Sequence, residues 1–202
     1  SELEAVTALS VSGSSTTRNP YTNLTGIGYF TNLQTLNCAW GNLTALDLSN
    51  NTKLTSIYAV HNKLTSLNVS GCTELTSMAV QQNNLGQLDV STCTKLVTLT
   101  CDGNRLTSLT LPNLNANGNS SLVTLHCMAN QLENLDVSQC KSLRDLRCYS
   151  NRLMDLDLSN NTSLANIEIG SQNFGYIPLH YNTASGKYIH STKTGTDTLK
   201  EF

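Results

Sequence analysis

Charged side chains are scarce in this chain of 202 residues: they make up 13% of the sequence, about half the share of roughly 25% typical of soluble domains. The net charge is only −2, which excludes the strongly basic surface of a nucleic-acid-binding protein. No apolar run approaches the roughly 18 residues that a membrane-spanning helix needs. We therefore expect neither nucleic-acid binding nor membrane insertion by this segment.

Motifs of catalysis and metal binding are also missing. The four histidines form no HxxxH or HExxH pair, and the seven cysteines form no CxxC pair. The sequence contains no GxSxG, GxGxxG or P-loop, and no nucleophile stands beside a base. We expect no enzymatic activity, no cofactor and no metal site.

Leucine and small polar residues are correspondingly abundant. The 32 Leu, 24 Asn, 26 Thr and 22 Ser residues indicate internal repetition. One leucine recurs at intervals of 21, 21, 21, 26, 21 and 21 residues, at Leu33, Leu54, Leu75, Leu96, Leu122, Leu143 and Leu164. Counted from each of these leucines as zero, apolar residues recur at +3, +5, +10 and +13. The chain is therefore built from seven repeats.

Each repeat contains the pattern of a strand. Apolar and polar residues alternate around +3 and +5, which predicts a half-buried strand. Stacked copies make a parallel sheet whose strands lie about 4.8 Å apart. The rest of each 21-residue repeat leaves room only for short segments. The expected fold is a right-handed leucine-rich repeat solenoid with a parallel β-sheet on the concave face, short 3₁₀ or extended segments on the convex side, and little α-helix.

Polar columns accompany the apolar ones. Asn occupies +8 in five consecutive repeats, where its amide can bond backbone groups of adjacent repeats. Asp or Asn at +14, followed by Ser at +16, suits the capping of a turn. Because Asn119 keeps the register of position −3, the five extra residues of the fourth repeat (26 against 21) are expected within 112–118. In the six repeats from Leu54 onward, position −3 holds only Asn or Cys, at Asn51, Cys72, Cys93, Asn119, Cys140 and Asn161.

The cysteines are expected to be reduced. Cys38, Cys101, Cys127 and Cys148 occupy the inward position +5, and the other three share position −3 with Asn. Neighbours in such a column lie about 4.8 Å apart with parallel Cβ vectors, whereas a disulfide requires Cβ atoms about 3.8 Å apart. All seven are therefore predicted to be free thiols that pack as small apolar side chains.

The repeat resembles that of internalin-type leucine-rich repeat proteins of bacterial surfaces, in its 21-residue period, its Cys at +5 and the stretch LTGIGYFTNLQTL at 24–36. The resemblance covers roughly residues 6–177. It implies an extracellular or cell-surface bacterial module that acts in adhesion by protein–protein recognition, with a host surface protein or a glycan as its partner. We expect a monomer. Two alternatives remain: a structural spacer that binds nothing, and a carbohydrate-binding surface on Trp40 and Tyr58.

Three regions are expected along the chain. Residues 1–32 form an N-terminal cap with one degenerate repeat, in which Val6, Leu9 and Val11 keep the strand spacing. Residues 33–177 form the seven repeats. Residues 178–202, with β-prone runs around Tyr181 and Tyr188, form a C-terminal cap or begin a further module. We recognise neither a signal peptide nor an anchor motif, and expect the chain to begin after a processed leader.

A binding surface is expected on the concave face. Side chains at +4 and +6 should face solvent there, with +2 at its edge and +7 at its exit. In the alternative interpretation, Trp40 packs on the N-terminal cap, Arg147 pairs with acidic neighbours, and the histidines are ordinary surface residues. The predicted partner-binding residues form an aromatic cluster near the N-terminal end and a mixed, charged cluster further along: Trp40, Tyr58, His61, Asp102, His126, Met128, Asp145, Arg147, Tyr149 and Glu168.

Overall fold

The computed structural model describes residues 2–114, 120–170, 172, 187–189 and 199–201. Within these residues the helices are two short 3₁₀ segments, Glu2–Ala5 and Ile27–Tyr29, and no helix is long and apolar enough to cross a membrane. Numbered in chain order, the strands are β1 (Ala8–Ser10), β2 (Thr35–Asn37), β3 (Ala45–Asp47), β4 (Ser56–Tyr58), β5 (Ser66–Asn68), β6 (Ser77–Ala79), β7 (Gln87–Asp89), β8 (Thr98–Thr100), β9 (Ser108–Thr110), β10 (Thr124–His126), β11 (Asp145–Arg147), β12 (Asn166–Glu168), β13 (Lys187–Ile189) and β14 (Leu199–Glu201).

Eight strands form one parallel sheet in the order β1–β2–β4–β6–β8–β10–β11–β12, so that consecutive repeats contribute neighbouring strands. Equivalent positions lie opposite one another: Leu36 pairs with Ile57, and Ile57 pairs with Met78. The first strand belongs to the degenerate N-terminal repeat, where Leu9 lies opposite Leu36. The predicted leucine-rich repeat solenoid with a parallel sheet is confirmed.

The segment that returns from one sheet strand to the next is extended in several repeats. β3 pairs with β5 and β7 with β9, in parallel and in register. Separate turns follow, each closed by a backbone hydrogen bond across three residues, such as Cys72 N–H to Val69 C=O (2.9 Å) and Leu75 N–H to Cys72 C=O (3.1 Å). The predicted extended segments are therefore present. Among the described residues, 3₁₀ segments occur only near the N-terminus, because single turns take their place in the repeats.

One apolar core runs through the stacked repeats. The leucine that opens each repeat is buried, as are the described residues at +3, +5 and +10. In β4, Ile57 is 1% exposed while its neighbour Tyr58, on the other side of the sheet, is 46% exposed. Each sheet strand thus directs its central side chain into the core and the two flanking side chains toward solvent.

The asparagine at +8 ties each repeat to the one before it. Asn62 Nδ2 donates to the Cys38 carbonyl of the preceding repeat (2.8 Å), and Oδ1 accepts the Leu43 N–H (3.1 Å). Nδ2 also lies 3.3 Å from the carbonyl oxygen of Ala59 in its own repeat. These bonds satisfy backbone groups at the point where the strand ends, as the sequence predicted. The same arrangement recurs at Asn83, Asn104, Asn130, Asn151 and Gln172.

Asn and Cys interchange at −3 because both side chains donate to the same backbone carbonyls. Asn161 Nδ2 donates to the carbonyls of Val137 (2.8 Å) and Cys140 (2.9 Å), 24 and 21 residues earlier. Cys72 Sγ lies 3.4 and 3.9 Å from the carbonyl oxygens at the same two sequence separations. Within the described residues, Asn161 Oδ1 has no hydrogen-bond partner. A thiol makes the same donations without leaving a buried acceptor unpaired.

The acidic side chain at +14 caps the turn that follows it. Asp47 Oδ1 accepts the N–H of Ser49 (3.0 Å), and Asp136 Oδ1 accepts that of Ser138 (2.9 Å). The Ser49 N–H is the main cause of the lowered pKa of the Asp47 carboxyl. The predicted role in turns is confirmed, and the Asp47 carboxylate is ionised at neutral pH.

The insertion and the tail are described only in part. The region 115–119, which contains Asn119, lies outside the described residues, so the register predicted for Asn119 stays a prediction. Ser120, the next residue, is wholly buried and bonds the side chain of Cys140. In the tail, β13 and β14 form an antiparallel pair that includes Tyr188, while the run around Tyr181 lies outside the described residues.

Candidate functional site

The solvent side of the eight-stranded sheet corresponds to the predicted concave face and is called the sheet face below. It presents the two flanking residues of each strand. The +2 column consists mainly of short hydroxyl side chains: Thr35, Ser56, Ser77, Thr98, Thr124, then Asp145 and Asn166. The +4 column changes at every strand: Asn37, Tyr58, Ala79, Thr100, His126, Arg147 and Glu168. Its N-terminal half is therefore uncharged, and its C-terminal half is charged.

Position +7, where the chain leaves the sheet face, has a left-handed backbone. The angle φ is 62° at Gly103 and between 53° and 56° at the five other residues, although non-glycine residues seldom adopt this conformation. A Cβ at Gly103 would collide with the side chain of Gln82. The repeat pattern does not predict this left-handed backbone, and the glycine at position 103 is the one residue type in the column that indicates it. The column comprises Trp40, His61, Gln82, Gly103, Ala129 and Ser150.

Trp40 and His61 stack on each other within this column. Their ring centroids are 3.7 Å apart with an interplanar angle of 17°. Arg18, from the N-terminal segment, lies 5.9 Å from the Trp40 ring centroid and donates to the carbonyls of Gly41 (2.9 Å) and His61 (2.8 Å). Burial and the Arg18 charge lower the pKa of His61, so its ring is neutral at pH 7. His61, from the next repeat, thus covers one face of the Trp40 ring, and Arg18 is the contact with the N-terminal cap that the alternative interpretation expected.

Tyr58 is the aromatic residue that projects from the sheet face. Its strand neighbours in register are Asn37 and Ala79, and 46% of the residue is exposed. Ser56 and Ser77 lie beside it in the +2 column. Because the surrounding side chains are small, the Tyr58 ring stands above an otherwise shallow surface.

The side chains of His126 on β10, Asp145 and Arg147 on β11 and Glu168 on β12 form a partly buried network. His126 Nε2 lies 3.2 Å from Asp145 Oδ2, and Arg147 Nε lies 3.4 Å from Asp145 Oδ1 and 3.6 Å from Glu168 Oε1. The Arg147 side chain is 37% exposed, against 19–26% for the other three. The predicted pairing of Arg147 with acidic neighbours is confirmed. In the described part of the chain both ion pairs use Nε, so the two Nη groups stay available to a partner.

Position +6 is more buried than predicted. Asp102 is 8% exposed, and its Oδ1 accepts the N–H of Met128 (3.0 Å). Burial raises the pKa of the Asp102 carboxyl, while the nearby His126 opposes the shift. The expectation that +6 faces solvent is wrong for Asp102, as it is for Ala39 (1% exposed) and Val60 (4%), because the sheet strand ends at +4 and the alternation of side chains does not extend beyond it. Met128 and Tyr149 stay partly exposed at the same position.

The two predicted clusters lie on separate parts of the sheet face. Between Tyr58 on β4 and His126 on β10 stand β6 and β8, which corresponds to about 14 Å at the usual strand spacing. Trp40 and His61 line the exit of the sheet face beside Tyr58. A partner that contacts both Tyr58 and Arg147 must therefore cover five neighbouring strands. In the described residues no group of three or more His, Cys, Asp or Glu side chains forms a metal site.

Comparison with known proteins gives likenesses to solved structures. No protein-family model matches the chain, and no curated protein matches it. Among solved structures, the chain is similar to the functional domain of InlJ from Listeria monocytogenes, described as including a cysteine ladder, at 28% identity and a TM-score of 0.48. The alignment covers 87% of this chain and 46% of that one, so this chain spans about half the length of the InlJ structure.

Proposed function

We propose that this leucine-rich repeat solenoid is a non-enzymatic bacterial binding module, exposed outside the cell, which recognises a protein partner through its sheet face and acts in adhesion. The observation that carries the proposal is Tyr58, a 46% exposed aromatic side chain among short polar ones. The repeats hold their buried columns nearly constant while the +4 column changes at every strand. The resemblance of the repeat to internalin-type sequences supports the extracellular setting.

The two clusters suit different parts of a protein interface. A projecting tyrosine buries a large ring at small entropic cost and is a common energetic anchor in interfaces. Asp145 and Glu168 hold the Arg147 side chain through its Nε while 37% of that side chain stays exposed, which favours recognition of a carboxylate on the partner. The uncharged half supplies contact area, and the charged half supplies orientation.

Binding assays with matched variants test the proposal. The wild-type chain and the variants Tyr58→Ala, Arg147→Ala, Trp40→Ala and Arg105→Ala are screened against arrays of host surface proteins and of glycans. Tyr58→Ala and Arg147→Ala are expected to weaken binding of a protein hit by about tenfold or more. Arg105 is exposed at +9, away from the sheet face, so its variant serves as the control.

Two outcomes count against the proposal. If the wild-type chain binds nothing on either array, the chain is a spacer. If it binds only glycans, and Trp40→Ala abolishes this binding, the surface is a carbohydrate platform. That second function has less support, because His61 already covers one face of Trp40.

A further inference from the structure

A cavity of about 710 Å³ opens at the N-terminal end of the solenoid, away from the sheet face. It lies between residues 23–29 and the strands β3 and β5. Its volume is within the range of about 300–1,000 Å³ that small-molecule sites occupy. None of the predicted partner-binding residues lines it.

The cavity exists because the chain leaves the regular stack just before Ile27–Tyr29. Thr44 N–H still donates to the carbonyl of Thr22 (3.1 Å), as expected of stacked repeats. Asn23 Oδ1 then accepts the N–H (3.2 Å) and the hydroxyl (2.8 Å) of Thr25, and Gly26 takes a left-handed conformation at φ 94°. Among the described strands, β3 pairs only with β5, so its other edge faces the cavity.

The lining combines an apolar floor with a neutral polar rim. Leu24 and Leu67 are partly exposed beside the buried Leu46 and supply aliphatic surface. Tyr29 lies at the rim, and 73% of this residue is exposed to solvent. The polar groups around them are mainly amides and hydroxyls, with a single carboxylate at Asp47.

We propose that this cavity binds a neutral oligosaccharide. The Asn50 amide offers a donor and an acceptor to the adjacent hydroxyl groups of a sugar ring. Asn68 Oδ1 already accepts the Ser70 N–H (3.1 Å), and Asp47 Oδ1 accepts the Ser49 N–H (3.0 Å), but their oxygens keep lone pairs to which further hydroxyl groups can donate. The C–H face of a pyranose packs on the Tyr29 ring and on the exposed leucine surface. No Lys, Arg or His lines the cavity, and Asp47 carries a negative charge, so an anionic ligand is disfavoured.

Methyl NMR of the whole chain tests this inference. The leucine methyl groups are labelled, and the chain is titrated with maltotriose, chitotriose, mannotriose and, separately, a lysine-rich peptide. At least one sugar is expected to shift the methyl signals of Leu24, Leu46 and Leu67. Tyr29→Ala and Asp47→Asn should each weaken this sugar by about tenfold. Tyr29 is exposed, and an Asn already caps the equivalent turn at Asn68, whose Oδ1 accepts the Ser70 N–H (3.1 Å), so we expect both variants to fold.

Tyr58→Ala is the matched control, since it removes an exposed tyrosine from the sheet face and should leave sugar affinity unchanged. The inference is overturned if no sugar shifts these methyl groups at millimolar concentration, if only the lysine-rich peptide does, or if affinity depends on Tyr58 and not on Tyr29. Because the two sites share no residue, each of these results leaves protein binding by the sheet face to be judged by its own assay.

Discussion

At the scale of single residues, Asn104 shows how one side chain joins two repeats. Its Nδ2 donates to the carbonyls of Val80 and Cys101, both at 3.0 Å, and its Oδ1 accepts the N–H of Leu85 (3.1 Å). Asn104→Ala leaves these buried groups unpaired, and we expect the free energy of unfolding to fall by about 1–3 kcal/mol or more. Urea unfolding measures the loss, and the transition should also broaden because each repeat contacts only its neighbours.

The control for Asn104 is the next residue. Arg105 is exposed, and Arg105→Ala should change the free energy of unfolding by less than about 0.5 kcal/mol. Equal urea midpoints for the two variants would show that the Asn column does not hold the turns together.

Asn161 provides a second test at this scale, in which a substitution is expected to keep or raise the free energy of unfolding. Its Nδ2 bonds two carbonyls, but its Oδ1 is buried without a partner among the described residues. Asn161→Cys, which copies Cys140 one repeat earlier, keeps a donor and removes the unpaired acceptor. We expect it to be as stable as the wild type or more stable, whereas Asn161→Ala should lose about 1–3 kcal/mol. Thermal unfolding ranks the variants, and a cysteine variant no better than the alanine variant would contradict this account.

At the scale of the element, the cysteines lie in two buried columns, one directly after the sheet strands and one in the turns. All seven are free thiols, as predicted, and burial raises the pKa of Cys38 and Cys72 to about 12. Because the thiolate is the reactive form, we expect few reactive thiols in the native chain and close to seven after unfolding without reductant. Thiol titration measures both. A count of three or one in the unfolded chain would mean that neighbours such as Cys127 and Cys148 are bridged.

The elements also show how far a repeat pattern predicts structure. The period placed the strands, the buried columns and the Asn hydrogen bonds, because each depends on residues that recur at one spacing. It misplaced Asp102, since alternation along a strand fails where the strand ends. It missed the left-handed column at +7, because Trp40, His61 and Gln82 have nothing chemical in common. Trp40 adopts this conformation although Gly41 follows it, whereas an Asn follows His61 and Gln82, so neither the residue itself nor its neighbour at +8 identifies the column.

At the scale of the whole molecule, the buried thiols are expected to make the free energy of unfolding fall as the pH becomes alkaline. Burial raises the pKa of Cys38 and Cys72 to about 12 and that of Cys93 to about 11, from an ordinary value of 9.0. Below about pH 9 the thiols are protonated in both the folded and the unfolded chain, so their ionisation takes nothing from the free energy of unfolding. As the pH rises from there toward the folded-state pKa, only the unfolded chain ionises, and each thiol costs up to about 1.4 kcal/mol per pH unit.

Urea unfolding at about pH 8 and about pH 10 measures this loss. Cys101→Val is the informative variant, because Val80 occupies the same position in the preceding repeat. The variant should lose less stability than the wild type between the two pH values. An equal loss in both proteins would show that the thiols stay neutral in the unfolded chain or ionise in the folded one.

The candidate sites illustrate what a repeat pattern leaves undetermined. Tyr58 and Arg147 were found from the sequence because the strand period assigns their direction. The contact of Arg18 with Trp40 was not, since Arg18 lies in an irregular segment 22 residues away. The cavity beside Tyr29 was missed for the same reason. It forms where the repeat is interrupted, and the repeat pattern does not predict the path of the chain there.

The hydrogen bonds that the Asn column makes between repeats run backward, from the side chain of a later repeat to the backbone of an earlier one. The backbone N–H at +10 of each repeat therefore gains its hydrogen-bond partner only when the Asn of the next repeat is in place. During synthesis the ribosome releases the repeats in this same order, so a half-made solenoid always ends in one unfinished turn. Within this column, removing repeats from the C-terminal end leaves backbone N–H groups such as that of Leu132 without their Asn partner, whereas trimming the N-terminal end leaves an Asn amide without the backbone groups of the preceding repeat.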